Sequence, residues 1–230
     1  MIGTLINAGL ILLGGGLGLL LRKGIPERIK DTIMQGLSLT VMLIGIMGAI
    51  ETQDILCVIV SIVVGGFLGA LADIEKQLDR LGSFAEKKLA SEEGSVAKGF
   101  VTASLIFCVG AMAIVGAMDS GIRGDHSTLI AKGVIDAVTA VFLAATLGPG
   151  VLLSAAAILV YQGAIALLAV WVAPILTEDV IREMGATGGL LVLGIGFNLM
   201  MPERHLKVGN LLPAIFVPLL YLPISHLLGA

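Results

Sequence analysis

Apolar runs of about 20 residues, the length that crosses a bilayer as a helix, follow one another along the whole chain. Counted by hydropathy alone they fall at 2–21, 31–50, 55–73, 99–118, 133–147, 150–173, 184–201 and 208–228. None alternates apolar with polar residues, as the strands of a transmembrane barrel would, so the pattern predicts an all-α integral membrane protein of about eight spans. The fifth run is short. Its 15 residues would extend roughly 22 Å as a helix, so it either crosses a thinned bilayer or turns back.

The polar stretches between the runs set the expected topology. With the N-terminus outside and eight crossings, the inside loops hold Arg22, Lys23, Arg28, Lys30, Lys76, Arg80, Lys87, Lys88, Lys98, Arg204 and Lys207. Only Arg123, Lys132 and Arg182 fall outside, which is eleven of the 14 basic residues against three. A single crossing by 133–173 would change this to ten against four, so the positive-inside rule favours eight spans with both termini outside. Arg22 and Lys23 follow the first run instead of preceding it, which predicts a retained first span. Residues 1–230 read as a single polytopic membrane domain, interrupted at 74–97 by a cytoplasmic amphipathic helix and loop. There Ile74, Leu78, Leu81 and Ala85 share one face and Lys76, Arg80, Lys87 and Lys88 surround it, the pattern of an interfacial helix.

Glycine recurs at helical spacing within the runs. Gly14 and Gly18, Gly65 and Gly69, and Gly185 and Gly189 each lie four apart, so each pair forms a small-residue face that lets helix backbones approach closely. The first and third spans share the pattern GGxLG, at Gly14–Gly18 and Gly65–Gly69. Gly194-Ile195-Gly196 followed by Pro202-Glu203-Arg204 echoes Gly14 to Gly16 followed by Pro26-Glu27-Arg28. These echoes predict duplication of a two-helix hairpin.

Composition agrees with the pattern: 57% of residues are hydrophobic and 13% charged, about half the charged fraction of a soluble domain. No basic stretch points to nucleic acid, and the net charge of −3 adds nothing. Cys57 and Cys108 lie inside apolar runs and read as small buried hydrophobes. The signatures HExxH, GxSxG and GxxxxGK[ST] are absent, so neither an enzyme nor a cofactor is expected. His126 and His205 sit in loops and His226 near the last helix end, without the oxygen or sulfur company of a metal site.

The candidate chemistry gathers at 133–163. Asp136 is the only acidic residue well inside these runs, and a carboxylate in hydrocarbon is costly unless paired or functional. Helical spacing places Asp136, Thr139 and Thr146 on one face, and Ser154, Tyr161 and Gln162 on another stripe beyond Gly148-Pro149-Gly150. Read as a broken helix, that Gly-Pro-Gly would free backbone groups to hold an ion or polar solute between the stripes. The competing reading pairs Lys132 with Asp136 at an outer helix end and lets the hydroxyls bond their own helix backbone. Asn7 and Asn198 are amides within spans, each expected to find a helix partner, and Asn198 joins the substrate-binding candidates.

Three stretches carry a family likeness: GTLINAGLILLGGGLGLLLRKGIPERIKDTIMQGLSLTVMLIG, DAVTAVFLAATLGPGVLLSAAAILVYQG, and GGLLVLGIGFNLM with VGNLLPAIFVP. Over essentially its full length the chain resembles the YdfK/YqgA-like family of uncharacterised bacterial membrane proteins. The resemblance implies a multi-pass protein of the bacterial plasma membrane and supplies no substrate or catalytic residue. From the residues themselves the expected function is a small-solute or ion transporter or permease, expected to be a homo-oligomer in the lipid bilayer. The alternative is a non-transporting scaffold or accessory subunit that binds partner proteins.

Overall fold

The computed structural model describes residues 1–22, 24, 26–80 and 95–228. Its elements are α1 (Ile2–Arg22), α2 (Glu27–Ala49), α3 (Ile55–Ala72), α4 (Ser95–Cys108), α5 (Ala111–Ile122), α6 (Ser127–Leu147), α7 (Gly150–Leu167), α8 (Ala169–Val172), α9 (Glu178–Met200), a 3₁₀ segment (Val208–Phe216) and α10 (Pro218–Leu228). Residues 74–80 are also helical, and no strand occurs among the described residues. Seven of these segments are long and apolar enough to cross a membrane, and the bent pair α4–α5 makes an eighth. The chain is an all-α, membrane-embedded protein.

Local chemistry decides where the helices start and stop. Asp54 caps α3 by accepting from the Leu56 and Cys57 amides at 3.0 Å, and Thr177 caps α9 through the Val180 amide. Asp73 ends α3 in the left-handed region, at φ 48°. Gly148, at φ 84°, ends α6, and Pro149, which lacks an amide hydrogen, opens the way to α7.

Glycine then decides how closely the helices meet. A Cβ on Gly14 would overlap the Ala137 carbonyl oxygen, and one on Gly18 the Val141 carbonyl oxygen, so α1 lies directly against α6. In α3, Gly65 and Gly69 meet Ala214 and Asn210 of the 3₁₀ segment in the same way. Gly45 of α2 fits against Leu193 of α9, and Gly189 of α9 against Ala49. Gly150 seats α7 on Val96 of α4, and Gly121 seats α5 on Ala166 of α7. Close approach through small residues replaces the hydrophobic drive that lipid does not provide.

These contacts order the bundle. α1 and α6 run parallel, with Gly3 beside Leu129 and Gly18 beside Val141, while α7 returns so that Gly163 lies near Met1. α9 forms the centre: 72% of its most apolar stretch is buried, against 17% for α2, whose Leu39, Leu43 and Met47 face outward. Phe107, Leu143, Ile158 and Leu191 fill the middle, and Val180, Met184 and Leu222 pack with Cys57 and Ile114 at the end that holds Met1.

Two spans and one connection differ from the expectation. The fifth is not short, because α6 begins at Ser127 and its 21 residues extend about 31 Å, enough to cross. The hydropathy count missed its first turns because Lys132 and the polar loop before it lower the average. Gly148-Pro149-Gly150 is accordingly a turn at the end of the bundle, next to Arg22, and not an interruption within the hydrocarbon. The interruption lies instead in the fourth span, where Gly110 adopts φ 112° and α5 departs from the axis of α4 by 66°. Leu81 and Ala85 of the expected interfacial helix lie outside the described residues.

Gly18→Val should destabilise the bundle by roughly 1–3 kcal/mol or more, because the new side chain has only the α6 backbone to displace. Gly16→Val, where a Cβ meets nothing within 4 Å, should leave the melting temperature in detergent near that of the wild type. Equal melting shifts for the two variants would refute the role of the close approach.

Candidate functional site

α1, α6 and α7 meet around four buried polar side chains. Lys132 and Asp136, one helical turn apart on α6, form an ion pair at 2.6 Å with both side chains less than a tenth exposed. Asp136 is the tenth of the 21 residues of α6, roughly 13 Å from Ser127, so the carboxylate sits near the middle of the span. From α1, Asn7 lies beside Asp136, and its Nδ2 donates to Gln162 Oε1 on α7 at 3.2 Å. Gly133 makes room for this amide, because a Cβ there would lie 3.1 Å from the Asn7 Cα.

Burial raises the electrostatic stakes. A buried ion pair is retained when its remaining donors and acceptors are satisfied, and removal of one partner strands the other charge. Here Asn7 Oδ1 and Gln162 Nε2 have no hydrogen-bond partner among the described residues. The cluster is thus charge-balanced yet offers one acceptor and one donor beyond its internal bonds.

Of the residues singled out from the sequence, Asp136 and Gln162 come together, joined by Asn7. Thr139 donates to the Ile135 carbonyl, Thr146 to those of Phe142 and Leu143, and Ser154 to that of Val151, so these hydroxyls satisfy their own helices. Tyr161 lines two apolar cavities on the outer side of α7. Asn198 lies elsewhere, exchanging two bonds of 2.7 Å with the backbone of Leu206 and so closing the loop after α9.

Two further polar clusters occupy the ends of the bundle. At the end holding Met1, Glu183 is fully buried on α9 and accepts from Thr52 Oγ1 at 2.5 Å, from the Gln53 amide at 2.9 Å and from Arg182. Thr187, one turn further along α9, is buried with an unpartnered hydroxyl. Sequence reading passed over Glu183 because α9 starts at Glu178, six residues before the apolar run; the Thr177 cap followed by Glu178 and Asp179 was the available signal. At the Arg22 end, Glu75 accepts from the Gly209 amide at 2.6 Å and contacts His205 at 2.9 Å, while its own amide donates to Asn210. No group of three or more His, Cys, Asp or Glu side chains that could hold a metal occurs among the described residues.

The fold and its buried polar interior define a multi-pass membrane protein. Residues 2–222 match the family described as Protein of unknown function (DUF554), and the chain belongs to that family. It is similar to the uncharacterised membrane protein YdfK of Bacillus subtilis (strain 168), 30% identical over 234 residues that cover 100% of this chain and 99% of the relative. It is also similar to the uncharacterised protein YqgA of Escherichia coli (strain K12), 33% identical over 232 residues, 98% of this chain and 96% of the relative. No solved structure matches it.

Breaking the ion pair from either side should be costly. Lys132→Met leaves a buried carboxylate unpaired and should lower stability by roughly 3–5 kcal/mol, whereas Lys132→Met combined with Asp136→Leu should recover most of that loss. Thermal unfolding of the two single variants and the double variant in detergent measures the coupling. Additive losses would show that the two side chains do not interact.

Proposed function

We propose that the protein is a transporter or permease for a small polar solute or ion, with its polar pathway at Asn7, Lys132, Asp136 and Gln162. The observation that carries this reading is a charge-balanced cluster at mid-span whose amides keep an unpartnered donor and an unpartnered acceptor. Intramembrane ionisable groups of this kind mark solute and proton pathways. The clusters around Glu183 and Glu75, at opposite ends of the bundle, extend polar chemistry along the same protein.

The same reading places the protein in the bacterial inner membrane with both termini outside. With Arg22, Lys98, Lys132 and Arg182 inside spans, the other basic residues divide nine inside against one outside, Arg123. Duplication of a two-helix unit is supported by the matching use of Gly14 with Gly18 and of Gly65 with Gly69. A homo-oligomer would cover the outward face of α2, the span with the smallest buried share.

The second reading, a scaffold or accessory subunit, draws on the helix at 74–80. Leu78 turns toward the bundle and lines two of its cavities, so that helix offers a partner Lys76 and Arg80 on its exposed side.

Thermal stability of the purified protein across ions, amino acids, amines and organic acids tests the transport reading. A solute at about a hundred times its dissociation constant should add roughly 2.7 kcal/mol to wild type. The gain should disappear in Asp136→Asn. A full gain in that variant would remove Asp136 from the site. A panel without any shift, together with a stable co-purifying protein, would favour the scaffold.

A further inference from the structure

Three cavities that share lining residues follow one another past α4 and α7, forming one crevice whose chemistry changes from end to end. At the Arg22 end lies a cavity of about 290 Å³ with Glu75, Asp79, Lys98, Thr102 and His205 among its walls. Leu78 and Val101 are shared with the next cavity, about 520 Å³, which is walled by α4, α7 and the 3₁₀ segment. Val160, Tyr161 and Phe216 are shared in turn with a third, about 550 Å³, which continues toward Leu176 and Met184 at the Met1 end. Apart from the Ser104 hydroxyl and the edges of Tyr161 and Cys108, the second and third cavities are lined by apolar side chains. The Ser104 hydroxyl is buried and has no hydrogen-bond partner among the described residues.

We propose that this crevice binds one membrane phospholipid, with its headgroup among Lys98, Asp79 and His205, an ester at Ser104, and one acyl chain along Val160 and Phe216. A polar mouth in series with an apolar channel suits an amphiphile, which brings a charged headgroup to the mouth and ester acceptors to the Ser104 hydroxyl. The mouth sets the Lys98 ammonium beside the carboxylates of Glu75 and Asp79, which complements a zwitterionic headgroup such as phosphoethanolamine better than a simple anion. The crevice opens between two irregular spans, the α4–α5 bend at Gly110 and the 3₁₀ segment that precedes α10. Two straight helices at those positions would close such a gap by ordinary packing. The lipid site is separate from the Asn7–Gln162 cluster and does not depend on the transport reading.

The test uses the full chain in detergent with lysophosphatidylethanolamine that carries a photoreactive group in its acyl chain. Cross-links mapped by mass spectrometry should concentrate at Ala156–Tyr161 and Leu212–Phe216. Excess unlabelled lysophosphatidylethanolamine should compete them away, and lysophosphatidylglycerol should compete less well. Ala157→Trp, which fills the channel, should abolish labelling. Lys98→Ala and Ser104→Ala, which keep the channel open, should each weaken it, Lys98→Ala by roughly tenfold as expected for loss of a charge-assisted contact. Labels spread over outward residues such as Leu13, Leu20 and Leu43, without competition, would mean ordinary annular lipid and overturn the proposal. So would unchanged labelling in both Lys98→Ala and Ser104→Ala.

Discussion

The bundle depends on backbones that touch. Lipid tails are as apolar as leucine side chains, so burial of leucine cannot hold these helices together, and close packing has to do so. Gly14 and Gly18 set α1 against α6, Gly45 and Gly189 set α2 against α9, and Gly65 and Gly69 set α3 against the 3₁₀ segment. Each pair leaves no room for a Cβ. The consequence reaches the polar interior: Asn7 spans the distance to both Asp136 and Gln162 only because α1, α6 and α7 converge, and because Gly133 yields space to its amide.

Three polar clusters then lie at three depths, and each solves the cost of burial differently. Glu183 is met by a hydroxyl, a backbone amide and Arg182 at one end, and Glu75 by a backbone amide and an imidazole at the other. Between them Asp136 is neutralised by Lys132 from its own helix, so the pair belongs to α6 even before the bundle closes. The neighbouring helices add the two amides, and with them one acceptor and one donor that lack a partner among the described residues.

Irregular helices have a place in this arrangement too. The bend at Gly110 lies opposite the glycine face of α9, where Val109 fits against Gly188, so the break is packed and not loose. On its other side it borders the crevice beside α7, whose charged groups gather at one mouth. Thus α7 divides two environments, with Gln162 turned to the polar core and Val160 to the apolar channel.

Hydropathy by itself determined that the chain is all-α, embedded in a membrane and divided into about eight spans, because a bilayer demands long apolar helices and little else satisfies that demand. The glycine spacing likewise identified the packing faces at Gly14 with Gly18 and at Gly65 with Gly69, since residues four apart must share a side of a helix, whereas of Gly185 and Gly189 only Gly189 leaves no room for a Cβ. Gln162 and Asp136 were legible as polar groups that hydrocarbon would not tolerate alone. Tertiary structure decided the rest. A window average placed the start of α6 after Lys132 and the start of α9 after Glu183, because a charged residue counts against a span in sequence even where a partner neutralises it in the fold. Gly-Pro-Gly reads the same whether it interrupts a span or joins two, and only the position of Arg22 beside Gly148 shows the turn at the bundle end. The bend at Gly110 left no clear mark in an apolar run, since a glycine there fits a straight helix equally well. That the amides of Asn7 and Gln162 face each other depended on a contact between segments 155 residues apart.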